Sequence, residues 1–432
     1  MAHLDSAVVV RRRWMPLLAS LIALGLIGAA GYLGGRELWA RQHWQAAQES
    51  YKHRDFQKTQ EHLVACLQIW PNDPQTHLLA ARTFRREGDL ISAEEHLRHC
   101  EDLHVAPQTL VLERALALAQ QGRLEKVEPF LLEQLAQDHP DSTLILEAMS
   151  QGFIKTRRIS NVWFCAEQLL RREPEHVQGL VWHGWVLEQL NRHEEALKDY
   201  QRAVELDGED DWARLNLAEL LLNLNRADEA LGQFQSLRDR LPGNAAVSLG
   251  LARCFRGVGR TEEARRLLDA LHEQLPGEPG VLSELGQVAL ELGQKEDAEK
   301  SLKQALSKKP SDRKAAYALY RCLEQQGRHA EADKYHKRVD EIDAAQKRLT
   351  EILQEMTRIR GKAPALRCEA GLLYLKLGLD GDGEQWLLNA LEEDPKLVKA
   401  HQGLAGYYER TGASERASWH RKMGGVASGE KP

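Results

Sequence analysis

Residues 282–310 read LSELGQVALELGQKEDAEKSLKQALSKKP, and their pattern recurs along the chain. Ala298 sits in a series with Ala196, Ala230, Ala264 and Ala332, each 34 residues from the next. Twelve positions before each alanine stand Gly184, Ala218, Ala252, Gly286 and Tyr320, and five positions before stand Asn191, Asn225, Gly259, Gly293 and Gly327. Pro242, Pro276 and Pro310 keep the same period. A fixed period of this length marks a repeat architecture. Each unit reads as a helix, a turn and a second helix, as in Asn191-Arg192-His193-Glu194-Glu195-Ala196-Leu197. Gly or Asn accepts a left-handed turn at low cost, and Pro stops the preceding helix. Small residues let two antiparallel helices cross closely. Tyr200, Phe234, Leu268 and Leu302 are expected to fill the space between second helices.

These positions resemble the tetratricopeptide repeat family, most clearly at Leu282, Leu285-Gly286, Ala298, Leu302, Ala305 and Pro310, with Leu302 replacing the family's usual aromatic. The resemblance implies an all-α, right-handed α-solenoid. The phase extends outward through 40–73, 74–107, 108–142 and 143–176, and downstream through 364–397 and 398–423, about eleven units over 40–423 in a solenoid spanning 36–423. One interval breaks it. Between Arg328 and Arg360 there is neither Gly nor Pro. A single helix from about His329 to Arg360, near 48 Å long at about 1.5 Å per residue, is expected to offset the last two units from the first nine. The small, polar tail 424–432 is expected to be disordered.

Ahead of the repeats, Trp14 to Gly35 is a run of 22 uncharged residues. As a helix it spans about 33 Å, enough to cross a bilayer as a signal anchor. Trp14 on one side and Trp39 and Trp44 on the other suit the two interfaces. Arg11, Arg12 and Arg13 outweigh Arg36 and Glu37, so segment 1–13 is expected in the cytoplasm and the array across a cell inner membrane, on the periplasmic side. A cleaved signal ending near Gly28-Ala29-Ala30-Gly31 is the alternative, but its apolar region is normally about 7–15 residues.

Composition narrows the function. The 432 residues carry 58 Lys+Arg against 64 Asp+Glu, a net charge of −6. Three arginines against one aspartate in residues 1–13 leave the remainder at −8, a sign that repels a phosphate backbone and argues against nucleic acid. Six cysteines without any Cys-x-x-Cys exclude a disulfide framework, a zinc ribbon and a c-type haem site. Asp380-Gly381-Asp382-Gly383-Glu384 lacks the Glu that a calcium loop needs at its twelfth position, which is Leu391. His193-Glu194-Glu195 lacks a zinc-protease's second His. No phosphate loop and no Gly-x-Ser-x-Gly occurs, and no enzymatic activity or cofactor is expected.

A solenoid offers a concave face lined by its first helices, which suits extended peptides or partner helices. In family register that face includes Trp182 and Trp185, Trp212 and Asn216, and Arg253 and Arg256. Large rigid aromatics beside arginines have the make-up of an interface hot spot. The alternative for Trp182 and Trp185 is that they plug gaps between helices. Some members of the family hold a C-terminal carboxylate with a Lys, Asn and Arg clamp; the equivalent positions here are Val181, Trp185, Glu219, Leu249 and Arg253, and only Arg253 fits. A groove asparagine ladder is likewise reduced to Asn216. His62 and Cys66, and His96 and Cys100, are each four apart and stand 34 apart as pairs, a zinc-like spacing. Their cysteines occupy the core position held by Ala203 and Ala305 elsewhere, which favours packing over metal binding. The expected partner is therefore a protein or peptide. The expected role is a membrane-anchored scaffold in envelope assembly, export or complex assembly, with a cytosol-facing receptor or a non-catalytic enzyme subunit as alternatives.

Overall fold

The computed structural model describes residues 32, 34–359 and 361–425. Of the apolar run 14–35, only 32, 34 and 35 fall within them, and the tail expectation for 426–432 also lies outside. Among the described residues, no helix is long and apolar enough to cross a membrane. They form twenty-two α-helices, one short 3-10 turn at Leu124–Lys126, and no strand. The chain divides into two compact units, Met1–Leu118 and Ala119–Pro432.

In the first unit, α1 (34–52) pairs with α2 (Phe56–Ile69), and α3 (Pro74–Glu87) with α4 (Leu90–Asp102); α5 (Pro107–Gln120) follows. Trp70 Nε1 donates to Glu37 at 2.9 Å and Cys66 Sγ to the Ala40 carbonyl at 3.5 Å, which seats α1 against α2. A second link joins α3 to α5. Buried Glu113 accepts from Arg82 at 2.6 Å and Arg85 at 3.1 Å, so its charge is compensated.

The second unit holds α6 (Glu128–Ala136), then α7 (Ser142–Lys155) with α8 (Ile159–Arg172), α9 (Val177–Gln189) with α10 (His193–Leu206), and α11 (Asp211–Asn223) with α12 (Ala227–Arg240). Next come α13 (Ala245–Gly257) with α14 (Thr261–Gln274), α15 (Pro279–Glu291) with α16 (Lys295–Lys308), and α17 (Arg313–Gln325) with α18 (His329–Ile359). The last pairs are α19 (Pro364–Leu377) with α20 (Asp380–Glu393) and α21 (Val398–Arg410) with α22 (Ser414–Met423).

The 34-residue period is written into the backbone. Asn191 and Asn225 adopt φ 60°, and Gly259, Gly293 and Gly327 adopt φ 74–79°, at the turn of each unit. Asp210, Asn244 and Asp312 cap three of the first helices, those starting at 211, 245 and 313, each accepting from a backbone N–H two or three residues on. At the helix crossing, a Cβ on Gly286 would lie 2.4 Å from Leu302 Cγ, and one on Gly184 would lie 2.8 Å from Tyr200. Tyr200 and Leu302 are therefore not fillers between second helices, as expected above. They occupy the space between the two helices of their own unit, where the absent Cβ makes room. Tyr200, Phe234, Leu268 and Leu302 are all fully buried.

Successive first helices also touch one another, α9 on α11, α11 on α13, α13 on α15 and α15 on α17, and the second helices do not match this. The array therefore bends toward its first helices, which line the inner face.

The long helix forms as expected, 31 residues or about 46 Å. Its effect differs from a simple offset. Ile342, Leu349, Ile352, Leu353 and Met356 are buried along it, it packs on α8, and Gln354 Nε2 donates to the carbonyl of Leu190 at the end of α9 at 3.3 Å. The following pair then meets the start of the same unit. Arg157, in the turn after α7, pairs with Asp382 at 2.7 Å, and buried Asn389 donates to the Thr156 carbonyl at 2.6 Å. The second unit thus bends back on itself rather than running on as an open rod. A helix of about 46 Å is stiff enough to carry α19 and α20 across that distance.

Candidate functional site: the inner face of the first helices

The residues expected on the inner face separate once placed. Trp182 is 4% exposed and belongs to the core; it plugs the helix packing and offers no surface. Trp185 is half-buried. Trp212 is 54% exposed at the start of α11 and is the large aromatic of the three that a partner can reach. One turn later, Asn216 Nδ2 donates to the Trp212 carbonyl at 2.6 Å, which leaves its Oδ1 turned to other uses. Arg253 and Arg256 are half-buried on α13.

Around the two arginines runs a charge ladder linking three first helices. Arg253 donates to Glu219 of α11 at 2.7 Å and lies 3.4 Å from Glu284 of α15. Arg256 reaches Glu284 at 3.0 Å and Glu291 at 3.2 Å. Glu284 is buried, so its carboxylate needs both guanidinium groups. Desolvation of Lys314 on α17 lowers its ammonium pKa, and the nearby Arg253 charge lowers it further. A little upstream, burial raises the Glu188 carboxyl, although Tyr200 donates to it at 2.8 Å. The ladder is structural along its floor, with cations gathered toward α17.

A hollow of about 170 Å³ opens beside it, lined by Arg256 of α13, Gln287 and Glu291 of α15, and Lys314, Tyr317 and Arg321 of α17. A separate hollow lies in the first unit, lined by Trp44, Trp70, Pro71, Asn72, Asp73 and Gln75.

The zinc-like pairs resolve into another arrangement. Cys66 and Cys100 are buried, their Sγ atoms donate to the carbonyls of Ala40 and Pro74, and burial pushes both thiols up to about 11. His62 Nδ1 lies 2.9 Å from His43 Nδ1, and His96 Nδ1 lies 2.9 Å from His77 Nδ1. His420 and His401 repeat the contact at 2.9 Å near the other end of the chain. His77 Nε2 contacts the Pro71 carbonyl and His401 Nε2 the Pro395 carbonyl, so those nitrogens carry the protons. In the neutral pairs His77 and His401 must then accept through Nδ1, and His96 and His420 must donate. Burial, with the neighbouring His77 and His401 acting in the same direction, lowers the pKa of His96 and His420 to about 4. Among the described residues, no group of three His, Cys, Asp or Glu is placed to hold a metal ion. The spacing of nineteen between paired histidines, repeated 34 residues later, was the sequence signal for these contacts.

A tetratricopeptide repeat family model matches residues 187–241, 228–283 and 256–314. Comparison with curated proteins finds no match. Among solved structures, the chain is similar to a tetratricopeptide repeat protein from Parabacteroides merdae, with 21% identity over 58% of this chain and 98% of that one, at a TM-score of 0.38. It is also similar to MamA AMB-1, with 24% identity over 39% and 92% of the two chains at a TM-score of 0.28. A third similarity is to the human IFIT1 dimer with PPP-AAAA, with 16% identity over 83% and 91% at a TM-score of 0.40. Residues 187–314, which hold most of the inner face, are built of tetratricopeptide repeats.

Proposed function

We propose that the chain is a membrane-anchored tetratricopeptide scaffold that binds a partner protein or peptide on the inner face of its second unit. The observation that carries this reading is a run of first helices, α9 to α17, packed side by side, with Trp212 exposed beside a ladder of charged side chains. Such a face offers an aromatic anchor and polar partners together, the make-up of an interface hot spot. On this reading the protein has no catalytic site of its own and acts in envelope assembly, export or the assembly of a complex. The anchor is segment 14–35, and the Arg11–Arg13 triplet orients the repeats toward the periplasmic side of an inner membrane. One observation favours the inverse topology, a cytosol-facing receptor. All six cysteines are free and buried, which suits a reducing compartment.

Fusion of alkaline phosphatase to the C-terminus tests orientation, because that enzyme folds only on the oxidising side. High activity is expected, and its absence in a membrane-bound fusion favours the cytosolic reading. Binding is tested by comparing Trp212→Ala with the native chain in partner capture. Trp212→Ala is expected to abolish capture and leave the melting temperature unchanged; unchanged capture contradicts the assignment of this face.

A further inference from the structure

Four cations crowd the hollow between α13, α15 and α17, but they are not equally occupied. Arg256 is held by Glu284 and Glu291, and Arg313 by Asp343 of α18 through two hydrogen bonds. Lys314 and Arg321 are exposed and make no ion pair among the described residues. Glu284 and Glu219 act on Lys314 through space, but both are paired with Arg253 or Arg256, so neither Lys314 nor Arg321 has a carboxylate of its own. They lie seven residues apart, two turns of α17, and share a face about 10.5 Å apart along the helix axis. Tyr317 stands between them, 45% exposed.

A partner helix with acids seven apart would match that spacing, but at about 10–12 Å across it is too wide for a hollow of about 170 Å³, so an extended ligand is required. In a β-strand, residues three apart point to opposite sides. In a polyproline II segment three residues make one turn of about 9.3 Å, so side chains at i and i+3 point the same way at nearly the spacing of the two cations. The intervening apolar ring surface then meets Tyr317. We infer that this hollow binds an extended, polyproline II-like peptide bearing acidic side chains three residues apart, one to Lys314 and one to Arg321. The inference rests on the protein-binding reading above and names the chemistry of the partner. Nucleic acid, the other polyanion, is disfavoured by the chain's net charge of −6.

The test uses fluorescence anisotropy on the full chain in detergent with a labelled peptide carrying Glu at every third position and Pro between. A peptide with Gln in place of each Glu, a peptide with the same glutamates clustered, and an octauridine serve as comparators. The spaced acidic peptide is expected to bind at least tenfold tighter than the Gln and clustered peptides at low salt, with the preference shrinking as salt rises. Lys314→Glu with Arg321→Glu is expected to remove the preference, as is the milder Lys314→Gln with Arg321→Gln. Lys300→Glu, on the exposed surface of α16, is expected to leave it intact. Equal binding of acidic and Gln peptides overturns this inference and leaves the protein-binding face standing. Failure of every peptide to bind overturns both. Tighter binding of octauridine, competing with the peptide, overturns it in favour of nucleic acid.

Discussion

The central pairs α9 to α17 and the pair α19–α20 are built from the same kind of helix hairpin, yet they are held in place by different means. Apart from the Gln354 bond to Leu190, the contacts that build the central pairs join residues within about one period: Gly286 to Leu302, Gly184 to Tyr200, and Arg253 to Glu219 and Glu284. The α19–α20 pair has its own close crossing at Gly371 and Leu387, and it also depends on groups more than 220 residues away, Arg157 to Asp382 and Thr156 to Asn389. Local repetition is enough to build a repeat array, whereas bending the array back on itself needs specific polar contacts at its two ends.

The largest expected effect breaks the central kind of contact. Gly286→Val forces a side chain into a site where even a Cβ would sit 2.4 Å from Leu302 Cγ. A loss of about 3 kcal/mol is expected from overpacking, read as a fall in the urea midpoint. Gly406→Val, at a position with no neighbour within 4 Å, serves as the control and is expected to change little.

A smaller effect is expected from cutting the distant contacts. Asn389→Ala with Arg157→Ala removes a hydrogen bond from a buried amide and an ion pair, worth about 1–2 kcal/mol together. Hydrogen exchange is expected to accelerate in α19 to α22 and to stay unchanged in α11 to α16.

Acid sharpens the same contrast. His420 titrates near 4 in the folded chain, against about 6.5 when unfolded. Above pH 6.5 both states are neutral and stability is full. Between 6.5 and 4 the unfolded state takes up a proton that the folded state refuses, so stability falls as pH falls. The α21–α22 pair is expected to lose exchange protection between pH 7 and pH 5, and His420→Phe to blunt that loss. Helices α11 to α17 contain His272 as their single histidine and are expected to change less. The smallest effect belongs to the surface. Arg226→Ala breaks an exposed pair with Glu229 at 2.6 Å and is expected to leave the urea midpoint essentially unchanged.

The same contrast explains what could be read in advance. The turns at Asn191, Asn225, Gly259, Gly293 and Gly327, the close crossing at Gly286 and the uninterrupted helix after Arg328 all follow from backbone rules that act within a few residues. The return of α19–α20 to Thr156 and Arg157 depends on curvature accumulated over several units, which no short stretch encodes. At the inner face, the period placed both Trp182 and Trp212 on first helices, at different positions of their units. Burial separated them, because Trp182 lies in a fully packed layer and Trp212 at the exposed start of its helix. The Arg253 and Arg256 pairs with Glu219, Glu284 and Glu291 cross helices from neighbouring units, and their charges cancel in any count of composition.

The return of the array to its own beginning is tested most directly by a distance. Spin labels on cysteines introduced at exposed Lys155 and Gly381, beside Arg157 and Asp382, report that separation by double electron–electron resonance, the six native cysteines being buried. A single short, narrow distance is predicted, broadening when Asn389 is replaced by Ala. A long, broad distribution in the native chain would contradict the account and leave an open array in its place.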